Sequence, residues 1–148
     1  MKRLSSSLDS LRDFFQEYGR WEEPFRDFLF YGKVKFTTVH TTFFMKDYQI
    51  DHFLYLFGVK ELQVGPKEAF SRLKELSKEL ISLSPDHYLS SFVLFVFEGR
   101  VPSLYSSRSI WLGFRGKVEW GMFSFEGGKL VYPPQMEGVG RFISSFLS

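Results

Sequence analysis

The sequence predicts an α+β domain: a curved antiparallel β-meander of about four to six strands packed against a long helix, with N-terminal helices before it and a C-terminal helix after it. Three observations carry this. From Tyr88 to Tyr132, Phe, Trp and Tyr crowd short runs separated by Gly-containing turns, a pattern no helical period accommodates. Residues 66–83 instead show an apolar stripe backed by a charged face, the mark of an amphipathic helix. Finally, 148 residues without a linker or internal repeat read as a single domain, 1–148, long enough to bury a core without staples.

Taken in order, Leu4, Leu8, Leu11, Phe15 and Tyr18 recur at three- and four-residue steps, so a helix is expected to end near Gly19. Trp21-Glu22-Glu23-Pro24 opens a second short helix, because Pro and acids suit a first turn. Lys33–Phe44 alternates and is rich in β-branched residues, which favours a strand. Asp47 is expected to cap a helix with Ile50, Phe53, Leu54 and Phe57 on one stripe and Gly58 at its end. That helix would be apolar on nearly every side, so it is read as central or covered by a partner. Val59–Val64 reads as a short strand, and Gly65-Pro66 starts the long helix.

Within the meander, Phe92-Val93-Leu94-Phe95-Val96-Phe97 suggests a central strand buried on both faces. Arg108–Arg115 and Val118–Glu126 follow as strands, with a change of parity near Gly121 that reads as a bulge. Gly127-Gly128 is a two-residue hairpin signal that sets Glu126 opposite Lys129. Val139, Phe142, Ile143 and Phe146 make the final helix.

Composition narrows the chemistry. Cysteine is absent, which removes disulfides, thiolate nucleophiles and Cys-bound zinc. Missing Asn and Cys together fit a thermophilic source. The net charge of +2 is too small to argue for nucleic acid by itself. Residues 1–87 hold thirteen basic and thirteen acidic side chains, and 88–148 hold six and four, so the surplus lies in the meander. The start, Met1-Lys2-Arg3 followed by serines, has no apolar signal-peptide core, and no run approaches the ~18–20 residues of a membrane span. A cytoplasmic protein without membrane association is expected.

Four groups of residues are candidate sites. His40, Asp47, Asp51 and His52 hold metal-ligating atoms, but Asp47 reads as a cap and two helical neighbours do not converge, so no metal is expected. His40 and His87 are the acid–base candidates of an enzyme with an aromatic-lined pocket. Arg100 and Arg108, with Tyr105 between them, bound the longest connection of the meander and suit an anionic ligand. The stretch Leu112–Trp120 superficially resembles the aromatic strand of an RNA-recognition motif but departs from it at Leu112, Arg115 and Lys117. Arg108, Arg115 and Lys117 beside Trp111 and Trp120 would still suit base stacking with phosphate neutralisation.

The preferred reading is a non-enzymatic binding or assembly domain that uses its aromatic sheet as a self-association surface or apolar ligand pocket. Arg100, Tyr105, Arg108, Trp111 and Trp120 are its expected ligand contacts. A homodimer is the expected partner state, with a small apolar or anionic ligand, no cofactor, and nucleic acid not the expected partner. The alternatives are the small enzyme and the single-strand nucleic-acid binder.

Overall fold

The computed structural model describes residues 8–40, 48–60, 66–77, 80, 89–98, 107–111, 116–126 and 128–147. Helix α1 (Asp9–Tyr18) leads into strands β1 (Gly19–Glu22), β2 (Phe30–His40) and β3 (Tyr48–Lys60). Helix α2 (Pro66–Ser77) precedes β4 (Leu89–Glu98), β5 (Ser107–Trp111), β6 (Gly116–Glu126) and β7 (Lys129–Val131). A 3-10 turn (Pro134–Met136) leads into α3 (Glu137–Ser144).

The strands form one sheet, in the order β1-β2-β3-β4-β6-β5 with β7 also beside β6. It is mixed rather than the expected antiparallel meander. β1, β2 and β3 pair antiparallel, but β3–β4 and β4–β6 are parallel. The physical reason is the crossover: β3 and β4 are joined through α2, and such a connection is what parallel neighbours require. β4 occupies one edge of β6, so β5 and β7 share the other, β5 along residues 117–121 and β7 along 124–126.

Each face of the sheet carries a buried core. On one, Val34, Leu54, Leu56, Leu94, Val96, Phe123 and Phe125 pack against Leu11 and Phe15 of α1 and Ile143 of α3. On the other, Tyr31, Tyr55, Phe57, Phe95, Phe97, Trp120 and Met122 pack with Phe70 and Leu73 of α2. The second core contains a ladder of rings across four strands. Tyr31 lies 5.1 Å from Phe57, Phe57 5.5 Å from Phe95, and Phe95 6.1 Å from Trp120. The architecture is therefore α+β with helices on both faces. α2 is described over 12 residues, and most of the remainder of the long helix expected to Leu83 lies outside the described residues.

Three local expectations are corrected. The helix expected over Asp47–Gly58 is β3, because a strand flanked on both sides and buried on both faces shows a continuous apolar run. Gly58 is required there by close approach: the Phe30 ring lies over it, where a side chain would stand. The helix expected after Trp21 is the end of β1 and a tight turn, in which Phe25 and Phe28 exchange both backbone hydrogen bonds. Glu23–Pro24 is a cis peptide, and Arg26 adopts φ 50°. The bulge at Gly121 is absent, since β6 runs unbroken along β4 from Gly116 to Phe125. The parity change arises because Trp120 and Met122 feed one core while Phe123 and Phe125 feed the other. Met136 fills the space over Gly121.

Other expectations hold. β4 is central and buried, Glu126 pairs with Lys129, and Gly128 takes the positive φ of 82° that a tight hairpin needs. Arg12 ties α1 to the turn after β1, 2.9 Å from both Asp9 and Glu23. Among the described residues no helix is long and apolar enough to cross a membrane.

Candidate functional site

Two surfaces gather charged or aromatic side chains, one on each side of the sheet. The first is built on β1, β2 and β3. Alternation along β2 puts Lys33 and Lys35 on the same face as Tyr31, and the register sets Arg20 of β1 beside Lys33. Tyr55 and Phe53 of β3 stand beside Lys33 and Lys35 in turn. The Arg20 guanidinium lies 5.4 Å from the Tyr31 ring centre and 5.9 Å from that of Phe25. Arg26 lies 5.1 Å from Phe25. The Lys33 ammonium lies 5.1 Å from Phe53 and 5.4 Å from Tyr55, and Lys35 lies 6.0 Å from Phe53. Four cations thus sit over four rings, each within range of attraction to the ring quadrupole.

Electrostatics at this face are mixed. Arg20 forms an ion pair with Glu22 on its own strand. Burial, and then the charge of Arg20, lower the pKa of Lys33. Burial pushes the Tyr31 hydroxyl up to about 12, with the neighbouring Tyr55 adding to the rise. Tyr31 and Tyr55 are buried, whereas Phe25 and Phe53 remain half-buried and Arg20, Arg26 and Lys35 are exposed.

The second surface is the seam between α1 and α3. The Phe14 ring lies 5.1 Å from Tyr18, 5.5 Å from Phe142 and 4.9 Å from Phe146. All four rings keep solvent contact, and Tyr18 is 60% exposed. A shallow depression of about 480 Å³ lies along α2 beside Ser71, Arg72, Glu75 and Leu76.

The candidates named from sequence are distributed as follows. His40 closes β2 opposite Tyr48, four residues from Phe36, the partner of His52. That is about 13 Å along a strand. His87, Arg100, Tyr105 and Arg115 lie outside the described residues. Arg108 stands opposite Trp120, and Trp111 opposite Lys117, in the β5–β6 register. Trp120 itself is 3% exposed, held edge-on by Phe70 at 6.0 Å and overlain by the Lys74 ammonium at 5.9 Å. Little of its ring is left for a ligand. Among the described residues no group of three or more His, Cys, Asp or Glu side chains is placed to hold a metal ion.

Arg20, Arg26, Lys33 and Lys35 escape sequence reasoning. Lys33-x-Lys35 in an alternating strand carries a signal, since it places two cations on one face. Arg20 joins them only once β1 is known to be a strand. No protein-family profile, curated protein or solved structure matches this chain.

Proposed function

We propose that this chain is a non-enzymatic binding and assembly domain that pairs with a second copy of itself through the α1–α3 seam. The observation that carries this reading is the cluster Phe14, Tyr18, Phe142 and Phe146, which stays partly exposed after both cores are filled. The sheet rings are largely absorbed by those cores, so the helical layer offers the better contact. Aromatic rings dominate the centres of protein interfaces, because they bury much area at little cost in conformational freedom. A two-fold axis through such a cluster lets it pack against its own copy, the commonest form of oligomer.

Sedimentation velocity tests this from about 1 to about 100 µM, a range that brackets a micromolar dimer. The wild type is expected to reach twice the 17.4 kDa chain mass. Tyr18→Glu changes an exposed side chain and should leave the fold intact while returning the monomer. A wild type that stays monomeric throughout contradicts the reading.

A further inference from the structure

We propose that the junction of α2 with β6 binds a small organic carboxylate, held by a hydrogen bond from the Trp120 indole N–H and by the Lys74 ammonium. Three observations lead there.

First, the Trp120 N–H has no acceptor. Among the described residues three buried side-chain polar atoms lack a hydrogen-bond partner: Glu22 Oε2, Trp120 Nε1 and Ser124 Oγ. Glu22 is already paired with the charge of Arg20, and Ser124 lies between Phe97 and Val131 in the sheet register. Trp120 differs from both, because its N–H can only donate and a cation stands over the same ring. Buried indole donors ordinarily find an acceptor, so one left without points to a group that arrives from outside.

Second, Lys74 has no acceptor for its charge either. It is half-buried on α2, and among the described residues no carboxylate pairs with its ammonium. The ammonium lies 5.9 Å from the Trp120 ring centre, at the outer limit of attraction to the ring. By contrast Arg72, two residues earlier, is paired with Glu68. The face of an indole repels an anion, whereas its edge, where the N–H points, attracts one. The flexible four-carbon stem of Lys74 lets the ammonium follow an anion to that edge.

Third, the other neighbours are apolar. Val93 is the partner of Trp120 on β4, Phe95 stacks at 6.1 Å and Phe70 meets the ring edge-on at 6.0 Å. An inorganic anion would be stripped of water here with little in return, whereas an apolar acid brings a body that matches these walls. Of the four neighbours Lys74 alone keeps substantial contact with solvent, so entry is past its side chain.

The test follows the indole N–H resonances of the three tryptophans, each assigned by a Trp→Phe variant, during titration with octanoate. The Trp120 resonance should move downfield and saturate between about 0.1 and about 10 mM, a range suited to so small a ligand. Lys74→Gln, on a side chain that meets solvent, should weaken octanoate about tenfold. Octanol should bind more weakly and be indifferent to that change. Tyr18→Glu leaves α2 and β6 untouched, so its monomer should bind octanoate like the wild type, whatever the oligomeric state proves to be. A Trp120 resonance unmoved at about 10 mM octanoate overturns the proposal. So does an equal response to octanol that Lys74→Gln leaves unchanged, which shows an apolar cavity without recognition of charge. Inorganic phosphate shifting Trp120 as strongly as octanoate also overturns it, because the apolar body would then contribute nothing.

Discussion

The two faces of the sheet are closed in different ways. Under α1 and α3 the strands contribute mainly Leu and Val, and two helices exclude water from them. Under α2 the strands contribute Tyr31, Tyr55, Phe57, Phe95, Phe97 and Trp120, and a single described helix covers the Trp120 end. Each buried ring covers ~150–250 Å², so the rings do on this face much of what a second helix does on the other. Over β1–β3 the Arg20 guanidinium and the Lys33 ammonium lie across the rings of Tyr31, Phe53 and Tyr55. The aliphatic face is thus closed by helices up to its outer aromatic seam, while the aromatic face carries its rings and cations directly on the strands.

The strongest break to this comparison is a pair of neighbours on opposite faces. Phe95→Ala removes the middle of the ring ladder, with Phe57 and Trp120 left on either side, and should cost about 3–5 kcal/mol. Leu94→Ala, next in sequence but under the helix pair, should cost about 2–5 kcal/mol, toward the lower end because the helices can settle. Urea unfolding of the two variants measures this. A larger loss for Leu94→Ala than for Phe95→Ala contradicts the weight placed on the rings.

Titration sharpens the comparison next. Tyr31 has its pKa raised to about 12 from 10, so the folded state holds its proton where the unfolded chain has lost it. Its contribution is complete below pH 10 and is lost as pH rises toward about 12. Lys33 has the opposite sign. Its folded pKa is lowered from 10.5, so the folded state sheds a proton before the unfolded chain does. Stability should therefore gain from Lys33 as pH rises through its folded pKa toward 10.5. Urea midpoints measured across alkaline pH should show the late loss vanish in Tyr31→Phe and the earlier gain vanish in Lys33→Gln.

The smallest effect is expected on the outer side of α2. Arg72 and Glu68 form an exposed ion pair at four-residue spacing. Arg72→Ala should change stability by only about 0.2–0.5 kcal/mol, less in high salt. A loss well above that would mean that the α2 surface carries more than solvated charge.

How far the sequence discloses all this depends on the element. β4 declares itself because six consecutive apolar residues fit a strand covered on both faces. The Glu126–Lys129 pairing is written in its two glycines, which act locally. β3 is misread for a physical reason. Ile50, Phe53, Leu54 and Phe57 satisfy helical spacing, but a strand buried on both faces is apolar at every position and satisfies it too. Reading β3 as a helix hides the strand–helix–strand unit, and with it the parallel direction of β3, β4 and β6. The cation-bearing face of β1–β3 is hidden for the same cause. Lys33 and Lys35 are visible as a pair, but Arg20, Phe25 and Phe53 join them only through pairings between segments far apart in sequence.

The parallel direction is the claim on which both faces rest, and the absence of cysteine makes it directly testable. Lys60 and Glu98 are exposed and are Cα partners at the ends of β3 and β4. Spin labels on a Lys60→Cys/Glu98→Cys variant, read by dipolar spectroscopy, should report neighbouring strand ends, whose backbones are about 5 Å apart. An antiparallel pairing would carry Lys60 to the Leu89 end of β4, and a separation of about 30 Å would contradict the account.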